Sequence, residues 1–176
     1  MSKIKTGNKM TKILLALLLA LSFIGCSSKG EDLTKVPQKL SVGNNLSTLK
    51  LNDQFEKSHA IDATTTKLIF AFAKDAAHTC NDFFDTQKPS YLADNHTQFI
   101  ADVSAAPSLI RSMFILPGLK DFKHTVLLLD DESIAAPFRK AMDTEKIVLV
   151  NLSKGVITSI KTLNTQKELQ EAIEAK

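Results

Sequence analysis

Residues 67–80 read KLIFAFAKDAAHTC, and the pattern of the chain changes within this short stretch. Residues 67–73 are almost continuously apolar, which is typical of a strand buried on both faces of a sheet. Asp75 is then placed to cap a helix over residues 76–86. One face of that helix is apolar, with Ala76, Cys80, Phe83 and Phe84 at helical spacing. A buried strand followed directly by an amphipathic helix predicts an α/β fold.

The chain on both sides of this stretch continues the alternation of strands and helices. Before it, residues 46–51 are predicted to form a short strand and residues 52–66 a polar loop. After it, Pro89 ends or kinks the first helix, and residues 98–103 form a second strand. Pro107 suits the first position of a second helix. That helix is predicted to turn its large apolar side chains inward, namely Leu109, Ile110, Met113 and Phe114, and to be interrupted at Pro117 and Gly118.

The last third of the chain adds a hairpin and a final helix. Residues 125–129 (TVLLL) are predicted to form a third buried strand, followed by a mixed helical and loop segment over residues 130–142 that contains Pro137. Residues 147–152 and 156–163 form two strands joined by a Ser-Lys-Gly turn. Thr165 and Glu168 form a capping box for a helix with Leu169, Ala172 and Ile173 inward. The order predicts parallel strands with helical crossovers and an antiparallel hairpin.

The N-terminus has the pattern of a secretory signal. It contains four lysines (Lys3, Lys5, Lys9, Lys12), an apolar run over residues 13–24 and then Gly25-Cys26. The ending resembles a bacterial lipobox, which implies cleavage before Cys26 and modification of its thiol by lipid, with acyl groups such as palmitate. An ordinary signal with a chance cysteine is one alternative. A membrane-spanning helix is another, although 12 apolar residues are short of the roughly 20 that spanning needs. Ser27 resembles the residue found after the cysteine of lipoproteins sorted to the outer membrane.

This reading divides the chain into three parts and limits its chemistry. Residues 1–25 are the signal, residues 26–45 a flexible tether and residues 46–176 the folded domain. Four of the 22 Lys and Arg residues and none of the 19 acidic residues precede Cys26, so the mature chain is close to neutral. Nucleic-acid binding therefore has no electrostatic support. Cys80 becomes the one remaining thiol, and no intramolecular disulfide can form.

Three stretches resemble the thioredoxin-like superfamily, and within it the branch of peroxiredoxins and membrane-tethered thiol-disulfide reductases. They are LNDQFEK (51–57), FAKDAAHTC (72–80) and KIVLVNLSKG (146–155). The resemblance implies an α/β fold of the thioredoxin-like kind. It would be a three-layer sandwich with a mixed sheet flanked by helices and an extra βα segment before the C-terminal hairpin and helix.

The same resemblance implies that the redox motif is degenerate. Against a thioredoxin, Cys80 falls on the second cysteine of the redox pair and Ala77 on the first, which is the nucleophile. Glu145 and Lys146 occupy the neighbourhood of the cis-proline. Against a peroxiredoxin, Cys80 falls on the peroxidatic cysteine, but Ala77 replaces the threonine and Ala73 the proline. Arg139 is then the candidate to stabilise the thiolate.

Cys80 can be read as a reactive thiol near a helix N-terminus or as a buried core thiol, and the packing face that it shares favours the second. His78 and Cys80 do not share a helix face, so they make a poor metal pair. His59, His96 and His124 have no partner evident in the sequence. Asp102 and Asp130 could lie near strand ends where ligands bind, although the composition favours helix-capping or solvated aspartates over a catalytic role.

The sequence thus predicts a membrane-anchored periplasmic lipoprotein with a thioredoxin-like domain that lacks dithiol redox chemistry. Its expected role is a non-catalytic binding or accessory module of the cell envelope, on the periplasmic face of the outer membrane. The expected partners are the membrane, through lipid on Cys26, and a periplasmic protein, with no cofactor or metal. The alternative is a single-cysteine thiol enzyme, a peroxidase or mixed-disulfide reductase, that uses Cys80.

Overall fold

The structure is a computed structural model that describes residues 39–175. Its seven strands are β1 (Lys50–Asp53), β2 (Ser58–Ala60), β3 (Lys67–Ala71), β4 (Thr97–Asp102), β5 (Leu127–Leu129), β6 (Ile147–Ser153) and β7 (Val156–Leu163). Its helices are α1 (Lys74–Asp85), α2 (Tyr91–Asp94), α3 (Ser108–Ile110), α4 (Leu116–Leu119), α5 (Glu132–Arg139) and α6 (Gln166–Glu174). A π-helical segment, Arg111–Ile115, joins α3 to α4, and we call the continuous stretch 108–119 the crossover helix.

All seven strands form one mixed sheet in the order β2-β1-β5-β4-β3-β6-β7. The three buried strands at its centre, β3, β4 and β5, are parallel, as the helical crossovers require. The C-terminal hairpin adds β6 antiparallel to β3, and β1 adds an antiparallel edge beside β5. This is the predicted mixed sheet flanked by helices, with β5 and α5 as the extra segment before the hairpin.

Each face of the sheet packs against its own apolar layer. On one face, α1 and α6 contribute Cys80, Phe83, Phe84, Leu169 and Ile173, all of which are buried. On the other face, α5 contributes Ala135 and Phe138, together with Leu40, Leu46 and Leu49 from the chain before β1. Alternate side chains of β3 supply the two layers, with Ile69 in the first and Phe70 in the second. The continuous apolar pattern of β3 is explained by this burial on both sides.

The packed part of the chain begins earlier than residue 46. Leu40 is buried, and the amide of Gly43 donates to the carbonyl oxygen of Ile157 at 2.8 Å. Asn45 forms an isolated antiparallel bridge with Val156. Residues 40–45 therefore lie against the β6–β7 hairpin and are not a free tether. The rest of the predicted tether, with Cys26 and the predicted signal, lies outside the described residues.

The predictions for the first strand, for the loop after it and for the cap of the first helix need correction. The first strand is Lys50–Asp53, and the predicted loop contains β2, which pairs with β1 in a hairpin. Asp75 lies inside the first turn of α1, whose N-cap residue, Ala73, makes no side-chain capping bond. Residues after Pro89 form the short helix α2. Such short elements carry no apolar periodicity of their own, so the sequence pattern did not indicate them.

The crossover helix differs most from its prediction. Leu109, Ile110, Met113 and Phe114 are exposed, and the side that packs on the core carries Ile115, Leu116 and Leu119. The helix continues through Pro117, which its position in the first turn of α4 tolerates. The π-helical segment shifts the phase of the side chains, so a constant helical period does not identify the inward face.

The end of the chain follows its prediction closely. The side chain of Thr165 accepts a hydrogen bond from the amide of Glu168 and so caps α6. Leu169 and Ile173 are buried and Ala172 is half-buried. The ammonium of Lys67 donates to the carbonyl oxygens of Ile173 and Ala175, at 2.9 Å each. A cation at the C-terminal end of a helix stabilises its unpaired carbonyls, so Lys67 holds α6 against the start of β3.

Candidate functional site

An apolar cavity of about 520 Å³ opens where β3 and β4 end and α1 begins. Its volume lies within the range of small-ligand sites. Most of the lining is hydrophobic, and the crossover helix forms one wall through Ile115, Gly118 and Leu119. The polar side chains in the lining are Lys74, His78, Asn81 and Asp102. In an open α/β sheet, the carboxyl ends of the strands are where ligands bind, so this cavity is the candidate site.

The start of α1 supplies alanines to this cavity. Ala73 and Ala77 both line it, at the two positions that the family resemblance gives to motif residues. Ala77 is the fourth residue of α1, which begins at Lys74. A methyl group can neither attack a disulfide nor orient a peroxide. Positions 73 and 77 of the wall thus carry neither a thiol nor a hydroxyl group.

Cys80 does not line the cavity. Its side chain is fully buried between α1 and the sheet, among Phe83, Phe84 and other residues of the first apolar layer. Burial raises the pKa of the thiol far above its ordinary value, because an apolar environment disfavours the thiolate. The residue also lies nearly two turns into α1, where the helix dipole no longer favours an anion. All these features belong to a core thiol.

Asn81 and His124 form a buried polar pair beside the cavity. Asn81 lines the cavity and is 4% exposed, and its Oδ1 lies 2.9 Å from Nε2 of His124. His124 is surrounded by aromatic rings, and burial lowers its pKa to about 4, with a small opposing effect from the charge of Asp85. The imidazole is therefore neutral at pH 7. Its Nδ1 is buried and has no partner among the described residues.

Asp102 and Arg139 form an ion pair at the end of β4. The guanidinium donates to the carboxylates of Asp102 and Glu132 and to the hydroxyl of Ser104. Asp102 also accepts from the amide and hydroxyl of Ser104. Arg139 belongs to α5 on the second face of the sheet, whereas Cys80 lies on the first. The guanidinium is thus engaged by carboxylates, and it is not placed to stabilise a thiolate at Cys80.

The acidic run after β5 consists of Asp130, Asp131 and Glu132, of which one caps a helix and another pairs with Arg139. Asp131 is the N-cap of α5 and accepts from the amide of Ser133 at 2.8 Å. Asp130 follows directly after β5, and its backbone carbonyl accepts from Arg111. Asp102 and Asp130 lie at the carboxyl ends of the neighbouring strands β4 and β5, as predicted. Asp102, however, is already paired with Arg139.

The remaining histidines are separate from one another. His78 is exposed at the rim of the cavity, His59 pairs with Asp53 at 2.7 Å, and His96 occupies a turn with φ of 51° before β4. Within residues 39–175, no group of three or more His, Cys, Asp or Glu side chains gathers as metal ligands would. No cis peptide bond occurs in the same residues, and Glu145 and Lys146 precede β6 in an ordinary trans loop.

Comparison with solved structures supports the fold assignment. A mutant of peroxiredoxin Q from Xanthomonas campestris is 14% identical, covers 77% of this chain and 94% of its own, and has a TM-score of 0.51. The peroxidoxin BcpB from Mycobacterium tuberculosis is 11% identical, with coverages of 76% and 94% and a TM-score of 0.50. The exposed lipoprotein thioredoxin of Streptococcus pneumoniae is 10% identical, with coverages of 73% and 98% and a TM-score of 0.50.

The chain therefore has a thioredoxin-like fold of the kind seen in peroxiredoxins and thiol-disulfide oxidoreductases. At these identities the likeness concerns the fold alone. No protein-family model matches the sequence. No curated protein matches it either.

Sequence reasoning found the residues around the site but missed its polar pair. The sequence shows no partner for His124, and no pattern in it singles out Asn81. The two are 43 positions apart in the chain, so only the packing of α1 against the sheet brings them together. The one signal in the sequence is that Asn81 is a polar residue next to Cys80 on the apolar, core-facing side of α1.

Proposed function

We propose that this protein is a lipid-anchored thioredoxin-like module that binds an apolar group in the cavity and performs no thiol chemistry. The observation that carries the proposal is the position of the one thiol in the described residues. Cys80 is buried in the core, whereas alanines, Ala73 and Ala77, occupy the two motif positions in the cavity wall at the start of α1. A thiol enzyme of this fold needs its nucleophile at the accessible place, and here that place is apolar.

The chemistry of thiols supports a non-catalytic role. The thiolate is the nucleophile, so a thiol whose pKa is raised by burial is almost entirely in its unreactive form at neutral pH. No charge opposes this effect, because desolvation is the one cause acting on Cys80. The side chain of Cys80 is fully buried, so peroxide and disulfide substrates cannot reach the sulfur unless the core opens.

The shape and chemistry of the cavity support binding. Side chains such as Phe72, Val103 and Leu119 offer an apolar surface, and burying apolar area is the main favourable contribution to association. Asn81 adds one buried amide at the wall. The ligand that fits is an apolar side chain of a periplasmic protein partner, or a small apolar molecule, with a neighbouring hydrogen-bonding group.

The anchor is proposed from the sequence. The lysines, the short apolar run and the Gly25-Cys26 end together are typical of a lipoprotein signal. In residues 39–175, no helix is long and apolar enough to cross a membrane. One solved protein of similar fold is described as an exposed lipoprotein thioredoxin, so a domain of this fold can occur in a lipoprotein. Ser27 favours the outer membrane as the destination.

The decisive experiment measures the reactivity of Cys80 in the folded chain. In the full-length protein carrying Cys26→Ser, Cys80 is the one thiol. A disulfide reagent near neutral pH is expected to label it only after urea is added, at a rate set by unfolding. In a matched control, Cys26→Ser/Cys80→Ala/His78→Cys, the thiol moves to an exposed position of the same helix and should react at once.

Two results would contradict the proposal. One is rapid labelling of Cys80 without denaturant at a rate near that of the His78→Cys control. The other is sulfenic acid on Cys80 after brief exposure of the folded chain to peroxide. Either result would favour the single-cysteine enzyme instead.

A further inference from the structure

The crossover helix presents a contiguous apolar surface to solvent. Leu109 is 65% exposed, Ile110 43%, Met113 58% and Phe114 64%. We call these four residues the exposed helix face. They account for most of the large exposed hydrophobic side chains of residues 39–175, the others being Val42 and Phe55. Single apolar residues on a surface are normal, but a contiguous group marks an interaction site.

The exposed helix face is distinct from the side of the helix that packs against the hydrophobic core. Ile115, Leu116 and Leu119 pack on the first apolar layer, so the core does not require the exposed helix face. The π-helical segment Arg111–Ile115 contains residues of both sides, with Met113 and Phe114 exposed and Ile115 packed on the core. Such segments occur frequently at functional sites. When a helix is apolar on two sides, one side can pack on the core of its own domain. The other side is then available to contact a partner.

The charged residues within the crossover helix and at its C-terminal end are basic, although Asp53, Glu56 and Asp130 line a pocket together with Arg111 and Lys120. From residue 104 to residue 120 the sequence contains no Asp or Glu, and its charged residues are Arg111 and Lys120. The guanidinium of Arg111 is held by the backbone carbonyls of Val103 and Asp130 and by no carboxylate within the described residues. Apolar side chains flanked by basic residues on one helix are typical of segments that lie at a membrane interface.

We propose that the exposed helix face docks on the surface of a lipid bilayer, so that the domain lies against the membrane to which it is attached. The inference rests on the proposed lipid anchor at Cys26. Twelve residues separate Cys26 from Lys39, where the described residues begin. Fully extended, they reach at most about 45 Å, so the anchor keeps the domain close to the bilayer. Attachment of this kind raises the effective concentration of a second, weaker contact.

The chain's own connecting segment is a poor alternative occupant. Residues 27–38 read SSKGEDLTKVPQ, with Leu33 and Val36 as the two large aliphatic residues. That segment cannot offer four large apolar side chains a matching surface. A second copy of the protein is the other possible occupant, and the experiment below detects it.

The test places an environment-sensitive fluorophore on the face. Met113→Cys is labelled in a Cys80→Ala background of the processed chain, which is reconstituted in vesicles of phosphatidylethanolamine and phosphatidylglycerol. Lys161→Cys, exposed on the edge strand β7, is the matched control. We expect a blue shift of the emission at residue 113 and its loss when the vesicles carry doxyl-labelled acyl chains. The probe at residue 161 should show neither.

A second pair of variants tests whether the apolar side chains cause the docking. Leu109→Ser/Ile110→Ser in the chain labelled at residue 113 should reduce the quenching by the doxyl lipids. Val42→Ser, which removes an exposed apolar residue outside the face, should leave it unchanged. Equal quenching in both variants would contradict the proposal.

Flotation of the same samples separates the two proposals. If the chain floats with the vesicles and neither probe is quenched, the anchor stands and docking is overturned. If the chain proves to carry no lipid, the labelled protein is added to preformed vesicles instead. Quenching of the probe at residue 113 alone then supports docking without the anchor. Absence of quenching at residue 113 overturns docking. A blue shift that grows with protein concentration in the absence of vesicles identifies a second copy as the occupant and overturns bilayer docking.

Discussion

His124 is the residue from which the clearest pH dependence is expected. Burial among aromatic rings lowers its pKa to about 4 in the folded chain, whereas an unfolded histidine has an ordinary pKa of about 6.5. Between these values the unfolded state binds more protons than the folded state. His124 therefore lowers the free energy of unfolding as the pH falls from about 7 to about 4, and its own contribution is about 3 kcal/mol.

Replacing this imidazole should remove the contribution of His124 to the loss of stability between about pH 7 and about pH 4. His124→Gln is expected to lower the free energy of unfolding at pH 7, because the buried pair with Asn81 is disturbed, by about 1 to 2 kcal/mol. Its stability should then change much less on acidification than that of the original chain. Urea unfolding at several pH values measures both effects. His78→Gln, at an exposed histidine, is the control, and a variant that kept the original slope would refute the assignment to His124.

At the same scale, the sequence predicted single residues well where one local neighbour decides their place. Cys80 was expected in the core because it shares a helix face with Phe83 and Phe84, and its side chain is buried there. Helix capping was the favoured explanation for the aspartates that follow the strands, and Asp131, next to Asp130, caps α5. Pairs that join distant parts of the chain, such as Arg139 with Asp102, have no local signal and were not predicted.

Among the elements, the segment before β1 and the β6–β7 hairpin depend on each other. The turn residue Gly155 has φ of +81°, and a Cβ there would lie 2.9 Å from Cβ of Ser47. The amide of Leu46 donates to the carbonyl oxygen of Gly155 at 2.7 Å. The hairpin turn is thus the site against which the N-terminal segment packs.

Two glycine variants separate this packing from backbone strain. Gly43→Ala and Gly155→Ala both place a side chain at positive φ, which costs about 1 kcal/mol each. Around Gly43 the added methyl meets no atom, whereas at Gly155 it collides with Ser47. We expect Gly155→Ala to lower the free energy of unfolding by about 2 to 4 kcal/mol, clearly more than Gly43→Ala. Equal losses in chemical denaturation would show that the segment does not pack on the turn.

The strength of the sequence pattern decided which elements were predicted. The long central strands, α1, the hairpin and α6 have clear periodicities and were predicted within a few residues of their observed ends. β2 pairs with β1 through its backbone over three residues and has no apolar pattern. The crossover helix is apolar on two sides, so its composition did not show which side the core uses. The exposed helix face, for which we propose bilayer docking, was therefore predicted to face the core.

For the whole molecule, the proposed anchor predicts how the chain is processed. Cys26→Ser should leave uncleaved precursor that takes up no labelled palmitate, because the modified thiol is what the lipobox pathway acts on. Gel mobility and incorporation of an alkyne-tagged palmitate measure the two effects. Cys80→Ser provides the matched control, since it removes the other cysteine and should be processed as the original chain is. Normal cleavage and labelling of the Cys26→Ser variant would rule out the lipobox.

The position of β3 in the sheet has a consequence for the order in which the protein can form. β3 lies between β4 and β6, with Ile69 facing Phe99 on one side and Leu149 on the other. During synthesis β3 emerges before either partner, and β6 is complete only when most of the chain has been made. Until then one edge of this very apolar strand is open to other chains. Folding is therefore a late event that involves the whole chain, and a ribosome-bound intermediate needs protection along residues 67–71.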